Sequence, residues 1–364
     1  MTLITTLLMT GLSTFAVGFV PGYASIGIWG AVILTIVRFI QGMGIGGEWG
    51  GATLIAMEWA RTNKHRGFIT SWPQWGGPAG LFLANLMVLL FSWLSGNQFL
   101  TWGWRVPFWL SIVMVGLGLY IRLGILETPI FRRIVEEQRV ARTPVLEVLR
   151  RRPRLVALTA LCRMAEQGPF YIFAAFIFTY GTNALHVSRN LLLAAVMCAT
   201  ALSAVTTPLC GHISDLIGRK RMYLIGVTTM GVFGFVYFAL LNTAIPAVIF
   251  LAIILSFIPH DMQYGPQAAL IAECFPPRLR YSGSSLGYHL SSVIAGGPAP
   301  LIATALFAAT GSGYPIAIYI AITAIIAFAA TIPLPDYTNR DVSEELDYAV
   351  PPDAAAAVRG VPDG

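Results

Sequence analysis

From its first residues to about Pro333 the chain alternates long apolar runs with short polar punctuation. Breaking the runs at charge clusters and at Gly, Pro and Asn predicts ten helical spans, near 2–20, 29–57, 68–94, 105–125, 156–182, 190–210, 222–241, 246–273, 282–309 and 313–333. Each approaches or exceeds the roughly 20 helical residues that a hydrocarbon core requires, and the longer ones can tilt. The runs are continuously apolar, without the period-two alternation of a membrane strand, which excludes a β-barrel. Helices then remain as the structure that satisfies every backbone N–H and C=O inside lipid. One polar connection is long, Glu127 to Leu155, and it divides four spans from six. Its basic residues suit an amphipathic helix at the inner membrane surface. The expected organisation is an N-terminal helical bundle over 1–126, a cytoplasmic central loop over 127–155, a six-helix bundle over 156–335, and an acidic, Ala- and Pro-rich disordered tail over 336–364.

Composition sharpens the class. Hydrophobic residues make up 56% and charged residues 11%, with a mean hydropathy of +0.71, whereas a soluble domain carries about 25% charged residues. This is an all-α polytopic membrane protein. The opening MTLITTLLMTGLSTFAVGFV has neither a basic start nor a small-residue cleavage site, so it reads as a span and not as a secretory signal. Cys162, Cys198, Cys210 and Cys274 lie in or at the ends of apolar runs without ligand-like spacing, and read as small hydrophobes and not as a zinc site or disulfide framework. The Lys and Arg residues set orientation. With both termini cytoplasmic, the inner loops hold Arg61, Lys64 and Arg66, the central-loop cluster, Arg219 to Arg221, and Arg278 and Arg280, while Arg105 and Arg189 face outward.

An internal repeat is present. MEWARTNKHRGFITSW, from Met57, and AECFPPRLRYSGSSLG, from Ala272, each run from an acid through a short polar loop to a basic residue, a glycine and a new helix. Each is followed by Gly-Gly-Pro-Ala, at Gly76 and Gly296, an offset of about 215 to 220 residues. Parallel repeats of this kind are a transporter architecture.

Several motifs then point to a family. The cassette Gly211, Asp215, Gly218, Arg219, Lys220 and Arg221 resembles the loop signature of the major facilitator superfamily. RFIQGMGIGGEWGG (from Arg38), RGFITSWPQ (from Arg66), WRVPF (from Trp104), ETPIF (from Glu127) and YGPQAALIAECFPPRLRYSGSSLGY (from Tyr264) are similar to its metabolite:proton symporters, which carry shikimate, 2-oxoglutarate, citrate, or proline and betaine. The resemblance implies a twelve-helix fold of two six-helix bundles, of which about ten helices fall in this chain. It also implies that the first two helices and an N-terminal copy of the cassette lie upstream of Met1. A monomer in the plasma (inner) membrane is expected, with a small solute, protons and the lipid bilayer as partners, no nucleic acid and no cofactor.

The resemblance assigns the cassette to a latch that holds the halves together in the outward-facing state. Asp215 is expected at the start of the span near Phe68, where a helix dipole favours a carboxylate, with Arg219 holding the loop through carboxylates. Topology alone would explain its basic residues but not its acid and glycines. Arg38 lies inside a span, where a charge is costly and therefore expected to face the bundle interior. The resemblance gives it proton coupling or substrate contact, with Gln41 one turn away. The nearby glycines suit close helix packing. Arg163 and Glu166, spaced i, i+3, share a face and can pair. Asp261, Glu166 and Glu48 are candidate proton carriers, since low dielectric raises a carboxyl's proton affinity. His260 is expected as a hydrogen-bonded packing residue, with titration the lesser role. Gln263, Tyr264 and Gln267, on the span of Asp261, suit a polar solute site. Trp72, Gln74, Trp75, Tyr171, Tyr180, Tyr288 and His289 are weaker cavity candidates.

The leading expectation is a proton-coupled symporter of a small organic solute, a carboxylate such as shikimate or a keto, di- or tricarboxylic acid, acting by alternating access. SWPQ and HDM resemble the shikimate-type branch. Two alternatives stay open, a zwitterion carrier of the proline/betaine kind and a truncated, non-transporting fragment. A membrane-embedded enzyme would need a constellation such as HExxH or a nucleophile elbow, and neither is in the sequence.

Overall fold

The computed structural model describes residues 2–58, 60, 63–124, 144–340 and 342. The described residues form helices joined by short turns and contain no strand. We number the α-helices α1 (Thr2–Val17), α2 (Tyr23–Ile26), α3 (Trp29–Glu58), α4 (Arg66–Ser95), α5 (Val106–Gly124), α6 (Pro144–Arg151), α7 (Pro153–Cys162), α8 (Met164–Tyr171), α9 (Ile177–Asn183), α10 (Arg189–Ile217), α11 (Arg219–Leu241), α12 (Pro246–Glu273), α13 (Pro277–Ser291), α14 (Ala299–Thr310) and α15 (Tyr314–Thr331). Eight helical segments are long and apolar enough to cross a membrane. They match eight of the ten expected spans. Of the other two, Leu3–Val17 forms a shorter apolar helix. The remaining one, α7 to α9, is interrupted at Arg163 and widens into a π-turn at Ile172–Phe176. Arg163, Glu166 and Pro169 sit in that stretch, so its irregularity coincides with its polar content.

Local chemistry sets the helix ends. Ser188 caps α10 by accepting from Leu191 N, proline opens α7, α12 and α13, and Gly311 closes α14 at φ 66°. Gly218, at φ 99°, makes the one-residue turn between α10 and α11. Val205, Leu216, Val232, Leu301 and Ile325 are exposed, an apolar exterior that hydrocarbon solvates and water would not.

The chain divides into two compact units, one of Met1–Ala52 with Gly80–Thr128, the other of Thr53–Ala79 with Pro129–Gly364. Residues 53–79, expected in the first bundle, thus cluster with the second unit. In the first unit α1 packs along α5. In the second, α12 packs against both α10 and α11, and α15 lies against α11 and α7. Part of the central loop is the expected amphipathic helix: α6 buries Val148 and exposes Val145, Leu146 and Leu149. Residues 125–143, which include ETPIF, lie outside the described residues, as do Arg61, Asp341 and residues 343–364. The expectation of disorder from residue 336 onward is corrected for 336–340 and 342. Leu334, Tyr337 and Val342 are buried, the last two in a cluster with Met57 and Ala272.

Candidate functional site

Two buried charged clusters stand out in the second unit. The first is built where α8, α10, α12 and α13 bring polar side chains together. Arg163 sits at the break before α8, its Nε 3.1 Å from Glu166 Oε2, one helical turn on. It also donates to Gln267 Oε1 (3.0 Å), the Tyr288 carbonyl (2.9 Å) and Ser292 Oγ (3.2 Å), and its guanidinium lies over the Tyr288 ring. Ser292 opens a second π-turn, Ser292–Gly296. Gln267 Nε2 returns a bond to Glu166 Oε2 at 3.2 Å.

His260 carries the cluster onward. Its Nε2 is 3.3 Å from Glu166 Oε1 and its Nδ1 is 2.9 Å from Asp261 Oδ1. Asp261 accepts from Ser203 (2.6 Å), Thr207 (3.2 Å) and Thr206 of α10. Arg163, Glu166, His260 and Asp261 are each at most 2% exposed. A neutral imidazole offers one donor and one acceptor, yet both ring nitrogens face carboxylate oxygens. Two carboxylates against one guanidinium leave a negative charge, so the set becomes neutral and fully hydrogen-bonded when Glu166, His260 and Asp261 share one additional proton. A net charge left in low dielectric is expensive.

The second cluster lies where α4 begins. Asp215 accepts from Gly67 N and Phe68 N, both at 2.8 Å, capping orphan N–H groups in the first turn of α4. Gly67 and Gly211 allow the approach: a Cβ on Gly211 would stand 2.8 Å from Gly67 O and from Ser71. Arg219 bridges Asp215 Oδ1 and Glu273 Oε2, each at 2.9 Å, and Arg66 reaches Glu273 Oε1 at 2.9 Å. The two carboxylates meet the guanidiniums of Arg219 and Arg66, with the buried Arg280 also near Glu273. The segment after α15 is strapped across this cluster. Arg219 N donates to Thr338 Oγ1 (2.9 Å), Lys220 Nζ to Leu334 O (2.9 Å), Arg280 to Val342 O (2.6 Å), and Asn339 to Asp215 O (3.4 Å).

The expected approach of Asp215 to the span near Phe68, and the hold of Arg219 on carboxylates, are what the structure contains. Arg163 pairs with Glu166 as its spacing allows. His260 is buried and hydrogen-bonded, its partners being carboxylates on both sides. Arg66 and Glu273, not singled out as site residues, are the basic end of the first repeat copy and the acidic start of the second. Gln263 bonds the carbonyls of Pro259 and Gly226 and so serves α12 packing. Tyr264 places its ring 4.9 Å from that of His260, and Gln74 reaches the Tyr264 carbonyl. Tyr180 is buried against Asn242, and half-buried His289 lies beside Tyr288. Trp72, Trp75 and Tyr171 are exposed, as is Arg221.

In the first unit Arg38, expected to face the bundle interior, is solvent-accessible. Its Nη1 donates to Gln41 Oε1 at 2.8 Å, Gln41 donates to Thr14, and the guanidinium lies 6.0 Å from the Phe108 ring centre. No carboxylate meets Arg38 among the described residues. Glu48 is ion-paired with Arg122 at 2.7 Å and only partly buried.

Comparison with known proteins agrees with this architecture. The family model of the Major Facilitator Superfamily matches residues 2–300 and 182–347. The chain is 36% identical over 337 residues to the inner membrane metabolite transport protein YhjE of Escherichia coli K12, covering 91% of this chain and 76% of the relative. It is 36% identical over 340 residues to the shikimate transporter of the same organism, covering 92% and 77%. Among solved structures, that of the proton:xylose symporter XylE superposes with a TM-score of 0.74 at 16% identity, over 95% of this chain and 82% of XylE.

Proposed function

The chain belongs to the Major Facilitator Superfamily, and on that premise we propose that it is an inner-membrane, proton-coupled symporter of a small organic carboxylate, of the class that includes shikimate and keto, di- or tricarboxylic acids. The coupling reading is carried by one observation, the buried set Arg163–Glu166–His260–Asp261 whose charge closes with one exchangeable proton. A ligand moves an equilibrium between conformations only by binding them unequally, and a proton that neutralises a buried set in one state and leaves it in the other meets that condition. In this reading Arg163 is a positioning residue, since its donors are engaged by Glu166, Gln267, Ser292 and the Tyr288 carbonyl. Arg38, whose partners here are neutral, is the cation that attracts the solute's carboxylate. Shikimate leads the candidates because a shikimate transporter is among the relatives at 36% identity.

The test is uptake of labelled shikimate and a panel of organic acids into vesicles energised by a pH gradient. Accumulation should collapse with a protonophore and be unaffected by sodium. Asp261→Asn should lose accumulation while retaining solute exchange at equal pH on both sides. Sodium-driven uptake, or accumulation by the Asp261→Asn variant equal to wild type, would overturn the proposed coupling.

A further inference from the structure

A second site lies away from both clusters, at the junction of α6 and α7. A groove of about 360 Å³ is lined there by Arg151, Arg152 and Arg154 on one side, by Leu155 and Leu158 one and two turns into α7, and by Pro335 and Tyr337 of the segment after α15. All three arginines are exposed. Glu147 contacts Arg151 at 3.1 Å and is also held by Arg278, while Asp336, between the lining residues Pro335 and Tyr337, accepts from Thr338 N. Arg152 and Arg154 meet no carboxylate among the described residues. The lining is thus amphipathic along its depth, cationic where the chain enters α7 and apolar where α7 continues into the membrane span. The adjoining α6 exposes Val145, Leu146 and Leu149, the arrangement of a helix lying in an interface plane.

We propose that this groove binds the headgroup phosphate of an anionic phospholipid of the inner leaflet, with an acyl chain along Leu155 and Leu158. Guanidinium forks match phosphate oxygens bidentately, and a basic pocket beside membrane helices on the cytoplasmic side is the chemistry that selects anionic headgroups. The volume is within the range of small-molecule sites. A run of arginines placed only to orient the chain would need neither the groove nor the apolar wall beneath it. The assignment to the inner leaflet rests on the orientation read from the Lys and Arg distribution, and the binding itself does not depend on the proposed transport reaction.

The experiment uses the full chain in nanodiscs of phosphatidylethanolamine doped with phosphatidylglycerol, with bound lipid counted by native mass spectrometry. Wild type should retain phosphatidylglycerol in preference to phosphatidylethanolamine. Each arginine near an anionic surface is worth about a fivefold change in binding, so the triple variant Arg151→Gln/Arg152→Gln/Arg154→Gln should lose about a hundredfold. Arg189→Gln, distant in sequence, should lose nothing. The charge-conserving triple lysine variant keeps the topology signal and should retain the preference at reduced strength. Equal retention of the two lipids by wild type would overturn the proposal, a result independent of how any variant folds. Displacement of the lipid by inorganic phosphate alone would also overturn it, by showing a soluble-anion site.

Discussion

The two buried charge clusters of the second unit hold the same number of carboxylates and differ in what opposes them. At the start of α4, Asp215 and Glu273 face Arg219 and Arg66, cations that do not release protons in proteins. Around His260, Glu166 and Asp261 face one arginine and one imidazole. The first opposes its carboxylates with guanidiniums alone, which suits the fastening role that the family resemblance implies. The second is balanced only with one added proton, and the proposed coupling rests on that difference. In the proposed reading, an imidazole in place of a guanidinium is what distinguishes a coupling set from a fixed contact.

The same substitution made in both places tests this contrast most strongly. Glu273→Gln leaves a buried guanidinium without compensation, and breaking a buried pair in this way costs about 3–5 kcal/mol. Thermal unfolding in detergent should show that loss, and a variant as stable as wild type would refute the fastener. Gly211→Ala comes next, because its Cβ would stand 2.8 Å from Gly67 O. Overpacking of about 1–3 kcal/mol is expected, with increased cysteine accessibility at position 71 when Ser71→Cys is probed in the same background. Glu166→Gln should be milder, about 1–2 kcal/mol, because the set becomes neutral with an uncharged His260. Its signature is kinetic, transport that no longer depends on pH. A loss of stability equal to that of Glu273→Gln would erase the distinction. The smallest effect is expected at exposed Arg38, where Arg38→Gln should change stability by no more than about 0.5 kcal/mol while raising KM for an anionic solute with little change in kcat.

Much of this was legible in the sequence, for identifiable reasons. Hydropathy is a local property, so the spans could be placed from runs alone, and the i, i+3 spacing of Arg163 and Glu166 fixed their shared face. The repeat carried the contact between Asp215 and α4, because a matching loop marks a matching helix start. Other features had no local signature. Glu48 finds its partner in Arg122, on another helix, and nothing near either residue announces the pairing. The π-turns at Ile172 and Ser292 accompany contacts made across helices. His260 was legible only as one histidine on an apolar helix, since the carboxylate on its far side comes from α8. The segment after residue 335 was misjudged because its acidic, Pro-rich composition suggests disorder. It is gripped mainly through backbone carbonyls and a threonine hydroxyl, groups that composition does not reveal.

That strap has a practical corollary. Thr338 and Asn339 are bonded to Arg219 and Asp215 themselves, and Asp336 holds Thr338 through its Oδ1, so a label that replaced Asp336 would disturb the strap it was meant to report. A bulky fusion joined directly after Val342 would tug on the same contacts, and a carrier tagged there should be compared with one tagged through a long spacer before its turnover is believed.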